Sequence, residues 1–311
     1  MNAFFRNAMV YRLAPSWSLD AATLDAQLER QRFVSDGSGA QSIGWMPVVD
    51  AGPLAHVVNG QVLLTLRTEK KLLPASVVNQ VAKARAQEIE EQQGYKPGRR
   101  QLKEIREAVT DELMPRAFSV WRDTRIWIDP VHHWLLIDTS SPARADEIVT
   151  ALSKSIDPFP LKPLRLAKSP VQMMTAWLAS DEAPAGFTID QDTELKATGD
   201  SRAAIRYTRQ SIGADDARRH IDEGKQCTRM ALTWSDRISF VLTDPLVLRR
   251  IAPLDVTREA GGEDAGDAVA RFDSDFALMS GELARLLPDL IDALGGELDE
   301  QVIEEPQRLA A

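Results

Sequence analysis

Ten residues, RAFSVWRDTR from Arg116 to Arg125, set three arginines and two aromatic side chains close together. Arg116, Phe118, Trp121 and Arg122 are not laid out like a core element. A guanidinium fork grips phosphate oxygens in pairs, and a neighbouring aromatic can wedge against a base. The same side chains could instead clamp two elements of one subunit together. Phe118 carries that choice: it is either an exposed wedge or gate contact, or an ordinary core phenylalanine. A second basic stretch holds seven Lys and Arg residues between Arg202 and Arg229. There Arg209-Gln210 closes an expected strand, and Lys225 follows Gly224 after an expected helix. Both are loop-edge positions suited to phosphate contact. Arg116, Arg122, Arg209, Gln210, Lys225 and Arg229 are therefore the candidate anion-contacting set. The competing reading of the second stretch is a solvated face with local ion pairs, such as Asp215 with Arg219.

Catalytic patterns do not emerge. The chain has no Walker loop, no Rossmann glycine fingerprint and no nucleophile elbow. His132 and His133 are adjacent on an expected strand, so their side chains would point to opposite faces and could not share a metal. His220 and Cys227 could form a nucleophilic pair, or be a surface histidine and a buried structural cysteine. Asp273 and Asp275 in RFDSDF read as caps and dipole partners at a helix start rather than a catalytic pair. The expectation is a non-enzyme with no catalytic residue, no metal and no cofactor.

Composition is that of an ordinary soluble chain, and 311 residues can bury a substantial core. One cysteine, Cys227, cannot form an intramolecular disulfide, which points to a reducing, cytoplasmic compartment. The N-terminus alternates like a strand and lacks the apolar run of a signal peptide, and no stretch approaches the ~18 apolar residues of a membrane helix. Net charge is −9, yet residues 255–311 hold 15 Asp and Glu against 4 Arg, leaving 31 acids against 33 Lys and Arg in residues 1–254. The acidity belongs to the C-terminal fifth, so the rest can present basic surfaces. An acidic tail region on a neutral body fits the same counts.

The elements that must position these residues alternate irregularly, which predicts an α+β fold. Residues 4–13 read as a strand with Met9, Tyr11 and Leu13 on one face. Ser18 is the expected N-cap of a helix from Leu19 to about Arg30, with Leu24 and Leu28 inward. Strands are expected near 43–47, 56–58 and 61–67, with Asn59-Gly60 as a hairpin turn. Residues 76–94 and 99–113 read as two helices joined at Gly94–Gly98, a solvated antiparallel pair projecting from the body; between Lys83 and Glu112 it carries seven basic and seven acidic residues. Strands at 125–129 and 133–138 follow, then helices opened by Ser141-Pro142 and Ser169-Pro170. A strand near 203–208, a helix over 215–223 and strands at 228–234 and 238–243 come next. GGEDAG at 261–266 is an expected loop. A helix from about Phe272 to Leu294 carries Met279, Leu283, Leu286, Leu287 and Leu290 inward, with a kink or break expected at Pro288 and an end at Gly295-Gly296.

Seven stretches in this order resemble the bacterial RdgC family of recombination-associated proteins: NAMVYRL at 7–13, HVVNGQ at 56–61, EKKLLP at 69–74, LMPRAFS at 113–119, IWID at 126–129, HIDEGK at 220–225 and RFDSDFALMSGEL at 271–283. The resemblance runs from Phe4 to about Glu297 and leaves out the insert at 261–266 and the tail after Asp299. It implies an elongated, multi-lobed subunit with a projecting helical hairpin, forming a ring-shaped homodimer around double-stranded DNA with little sequence preference. The family's implied role is to restrain the strand-exchange recombinase, with a nucleoid location. Phe118 then resembles the aromatic at the ring's gate, and Arg209 and Gln210 fall at gate or DNA-facing positions, with arginine where lysine is expected. Lys225 falls at a basic position of the hole. On this basis residues 1–75 and 119–254 are expected to form the body, 76–118 the tip and 255–311 an acidic helical region. The alternative is a protein-interaction regulator that touches DNA only incidentally, through the charged surface of Lys83, Arg85, Arg99, Arg100 and Arg106.

Overall fold

The computed structural model describes residues 4–298 apart from 16, 18, 19, 38, 160, 163, 200–202 and 255–267. It is a mixed fold of helices on antiparallel sheet, as expected. Among the described residues the strands are β1 (Asn7–Leu13), β2 (Gln41–Met46), β3 (His56–Val58), β4 (Gln61–Leu72), β5 (Phe118–Asp129), β6 (Trp134–Ile137), β7 (Leu161–Lys162), β8 (Phe187–Ala197), β9 (Ala204–Tyr207), β10 (Lys225–Trp234), β11 (Ile238–Thr243) and β12 (Val247–Pro253). The helices are α1 (Ala21–Glu29), α2 (Ala75–Gln93), α3 (Arg99–Leu113), α4 (Pro142–Ser155), α5 (Pro170–Ser180), α6 (Ala214–Asp222) and α7 (Ala268–Ala293). The main sheet runs β2-β4-β5-β6-β1-β12-β11-β10-β8-β9, with β3 added to β4 and β7 to β1.

Period-2 alternation sorts the N-terminal half of this sheet into two buried faces. Val62, Leu64, Leu66, Ile126, Ile128, Leu135 and Ile137 meet Leu24 and Leu28 of α1 and Ile148 and Leu152 of α4. Leu63, Trp127, Trp134 and Leu136 face the other way, into a larger core that holds Phe272, Phe276, Met279, Leu283, Leu286, Leu287 and Leu290 of α7. Met9 and Tyr11 pack with Leu13 on the first face, as their spacing implies. Helix α7 also covers Met230, Leu232, Phe240, Leu242 and Leu248, so it ties the two half-sheets to one core.

Several boundaries move. Asp20, not Ser18, caps α1 by accepting the Thr23 N–H at 2.8 Å, and Ser18 lies outside the described residues. Ser141 and Ser169 cap α4 and α5 as expected. Helix α7 starts by Ala268 and runs through Pro288 to Ala293 without a break. Asp273 therefore sits inside the helix, where it accepts from His56 Nε2 at 2.7 Å rather than capping an end. His132 and His133 lie in the turn between β5 and β6 rather than on a strand, with His132 Nδ1 2.7 Å from Asp129. The expected loop at 261–266 and the tail beyond Asp299 lie outside the described residues, as does Arg202.

Candidate nucleic-acid interface

β4 and β5 pair along their whole length, from Val62 opposite Ile128 to Leu72 opposite Phe118. RAFSVWRDTR is thus mostly strand, so β5 begins seven residues before the strand expected at 125–129, and its outer residues are not core. Its exposure explains the sequence pattern: β6 covers the edge of β5 only from Ile126 to Asp129, and β5 is solvated from Phe118 to Asp123. The outer part of β4–β5 is a ribbon extending past the main core, flanked on the β4 side by β2 as far as Lys70, with α2 and α3 connecting its ends. Those two helices share a small cluster of Ala82, Ile105 and Val109.

Alternation along the ribbon gives its two faces different tasks. Trp121, Asp123 and Arg125 lie on one face. Arg67 forms two hydrogen bonds of 2.7 Å with Asp123 and sits 4.9 Å over the Trp121 ring. Trp121 Nε1 donates to Glu69 at 3.2 Å. Hydrogen bonds from Ser35, Ser119 and Trp121 hold the Glu69 carboxyl below its usual range. Arg125 packs 5.5 Å over Phe272 of α7. On this face the arginine–aromatic contacts clamp the subunit to itself.

The opposite face carries Phe118, Val120 and Arg122. Phe118 is 86% exposed, with Leu72 beside it at 52% and Val120 at 49%, which eliminates the core alternative for Phe118. The face is covered only as far as Thr68 and Thr124, which accept hydrogen bonds from the buried Arg144 of α4. Beyond that point an open cleft of about 530 Å³ is lined by Lys70, Leu72, Val120, Arg122 and the first turn of α4. Arg116, in a single 3-10 turn of Met114–Arg116, is exposed beside Phe118 in the chain.

The second basic stretch lies far along the sheet, on β9, β10 and the turns around them. Arg209 has φ 55, a left-handed turn in which Asp192 Oδ1 accepts its N–H at 3.0 Å. Gln210 N donates to the Gln191 carbonyl at 3.1 Å, and Arg209 and Gln210 are both exposed. Lys225 opens β10 after Gly224 (φ 82) and is ion-paired with Glu223; only 12% of its side chain is exposed. Arg229 is half-buried on β10, directly across from Glu194. Local ion pairs do occur here, but as Arg218 with Asp215 at 3.8 Å and Arg219 with Asp216 at 2.7 Å, not Asp215 with Arg219. Sequence reasoning missed Arg250 of β12, which reaches the same surface as Arg206 and Arg229. Its only sequence signal was a pair of arginines, Arg249-Arg250, interrupting an apolar strand.

Cys227 is buried and its thiol is pushed up to about 12 by that burial. His220 has Tyr207 Oη 3.1 Å from Nε2 and Glu223 3.5 Å from Nδ1, so the two do not form a nucleophilic pair. Among the described residues no cluster of three or more His, Cys, Asp or Glu could hold a metal ion, and no helix is long and apolar enough to cross a membrane.

Comparison with known proteins covers nearly the whole chain. The family model described as "Putative exonuclease, RdgC" matches residues 3–297. The recombination-associated protein RdgC of Bordetella parapertussis is 59% identical over 297 residues, 94% of this chain and 99% of that protein. Its namesake in Janthinobacterium sp. is 54% identical over 299 residues, covering 96% and 100% of the two chains. That of Burkholderia cenocepacia is 52% identical over 309 residues, covering 99% and 100%.

Proposed function

The chain belongs to the RdgC family, and from that premise we propose that it is a sequence-independent double-stranded DNA-binding protein. In this reading it closes around DNA as a ring-shaped homodimer, without enzymatic chemistry, and restrains the strand-exchange recombinase by occupying DNA in the nucleoid. The observation that carries the reading is Phe118, 86% exposed at the end of a twelve-residue strand. An exposed apolar group with Leu72 and Val120 around it marks a contact with another macromolecule, and Arg116 and Arg122 beside it supply phosphate-binding charge. A twofold would bring two such ribbon ends together and double the local positive charge. Residues 1–75 and 119–254 would be the body, 76–118 the projecting tip, and 255–311 the acidic C-terminal helical region, whose helix α7 packs into the body's core. Arg209, Gln210 and Arg229 would face the duplex. Lys225 would do so by exchanging part of its pairing with Glu223 for phosphate.

The test is binding to a fluorescent random-sequence duplex across a salt series, with sedimentation to fix the oligomer. Phosphate-dominated binding gives log K falling with log[salt] by about 0.9 per neutralised phosphate. A dimer that binds unrelated sequences alike with a steep slope supports the reading, and a dimer without DNA affinity at low salt refutes it. A second reading, contact with the recombinase itself, is favoured by the mixed charge of α2 and α3, where Arg85 pairs with Glu112 and Arg100 with Glu104. Replacing residues 76–113 by a short turn should leave binding to naked DNA intact if those helices serve a protein partner. Incubation of linear duplex with magnesium tests the exonuclease activity named in the family description.

A further inference from the structure

Three arginines meet on the open face of the second half-sheet. Register sets Arg206 of β9 opposite Glu194 of β8, and Arg229 of β10 opposite the same residue from the other side. Arg250 joins them from β12. It sits in a left-handed conformation (φ 53) where the pairing with β11 slips by a residue, and such bulges re-aim side chains. The three guanidinium groups, with Asp192, Tyr207 and Thr208, line a cleft of about 130 Å³.

The carboxylates there are already engaged. Burial alone would raise the Glu194 carboxyl, but hydrogen bonds from Lys196 and Arg206 outweigh it and hold the group below its usual range. Asp192 pairs with Arg250 at 3.3 Å through one oxygen and accepts the Arg209 N–H at 3.0 Å through the other. Arg229 makes no side-chain hydrogen bond or ion pair among the described residues. Burial first, and the neighbouring Arg250 and Arg206 next, pull its pKa below the ordinary arginine value. Glu194 and Asp192 offset part of this, but both carboxylates are held by Arg206 and Arg250, so the half-buried Arg229 has no anion of its own. The cleft is smaller than the roughly 300–1,000 Å³ of small-molecule pockets, so it suits one tetrahedral group rather than a nucleotide.

We propose that Arg229, flanked by Arg206 and Arg250, seats one phosphodiester group of the DNA backbone. The proposal rests on the DNA-binding reading and deepens it. Asp192 acts as a positioning residue, because it fastens Arg250 and the Arg209 turn together and so joins the seat to the loop of Arg209 and Gln210. The contact is to phosphate and carries no sequence preference.

The experiment compares the full-length protein with Arg229→Gln, Arg229→Lys, Arg250→Gln and the distant Lys154→Gln by anisotropy of a random-sequence duplex across a KCl series, with thermal unfolding alongside. Arg229→Gln should weaken binding on the order of tenfold per seat at low salt and lower the slope by about 0.9 per seat, about 1.8 when both copies in the dimer hold a phosphate. Arg250→Gln should move both in the same direction. Arg229→Lys should keep the slope and lose affinity severalfold, because charge remains while the planar fork is lost. Lys154→Gln should leave the slope unchanged. An unchanged slope in Arg229→Gln, or an equal drop in Lys154→Gln, overturns the seat while leaving DNA binding by the wild type intact. A wild type that does not bind DNA overturns both. Saturable protection of the fold by inorganic phosphate, lost in Arg229→Gln but without effect on DNA affinity, assigns the cleft to a free anion and overturns the proposal.

Discussion

Phe118→Ala should leave the folded subunit intact and open the proposed ring. In the subunit Phe118 is 86% exposed, so its removal costs the monomer no more than about 0.5 kcal/mol, the range of surface substitutions. A core phenylalanine would cost about 3–5 kcal/mol. If the ring closes by burying Phe118 against the second subunit, each copy contributes about 2 kcal/mol from apolar burial. The twofold changes both copies at once, so closure weakens by about 4 kcal/mol, roughly 10³-fold.

Retention on nicked circular plasmid against linear duplex, under a salt challenge, reads this directly. A closed ring stays on a circle and slides off an open end, so the wild type should persist far longer on the circle. In Phe118→Ala the two lifetimes should converge, while the thermal midpoint stays within about 2 °C of wild type, given roughly 2–4 °C per kcal/mol for chains of this size. A midpoint lowered by several degrees would place Phe118 in the subunit core. Unchanged retention on circles with an unchanged midpoint would refute the gate.

The remaining expectations concern the scaffold. Cys227, with its thiol near 12, should resist a thiol reagent at pH 8 in the native protein and react once unfolded, since the thiolate is the reactive form; rapid native labelling would contradict its burial. Gly44→Ala should cost about 1–3 kcal/mol, because a Cβ there meets the Phe33 backbone at 2.5 and 2.7 Å; an unchanged denaturant midpoint would show that β2 can move away. Phe276→Ala should lower stability by about 3–5 kcal/mol, as it empties the core beneath both half-sheets. For Glu194 the depressed carboxyl binds fewer protons folded than unfolded, so its contribution is present above the ordinary value of 4.5 and lost as pH falls through the lower folded value. Glu194→Gln should therefore lose less stability on acidification than wild type does, as followed by urea midpoints from pH 6 to 3.

Local signals in the sequence were sufficient where local physics decides. Asn59-Gly60 takes two positive φ angles, 51 and 77, the geometry of a tight hairpin, and α3 spans Arg99–Leu113 as its apolar spacing requires. β8 and β12 were not legible. β8 buries the polar neighbours Thr193 and Glu194, which hides its alternation, and β12 is interrupted by Arg249 and Arg250 at its bulge. Arg206 and Arg229 stood out as basic residues, but their meeting with Arg250 depends on the order β12-β11-β10-β8-β9. Most of those neighbours are consecutive strands, but β10 pairs with β8 rather than β9, and the bulge that re-aims Arg250 leaves no spacing signal, so the sequence does not encode the cleft.

The same limit explains why RAFSVWRDTR does not read as a strand, and why that matters for its function. A strand announces itself by the face it buries, and β4–β5 buries both faces from Val62 to Leu66 and from Ile126 to Asp129. Past those residues the ribbon has no core to mark it. Hydrogen bonding along the ladder and the cluster of Arg67, Asp123, Trp121 and Glu69 stiffen it instead. That division lets the inner half fix the ribbon's direction while the outer half keeps its apolar side chains uncovered. Alternation then sends Trp121 to the clamp and Phe118 to the outside, although only two residues separate them. A contact made by Phe118 inherits the rigidity of the core through a twelve-residue strand, without any residue of the contact having to be buried in the subunit.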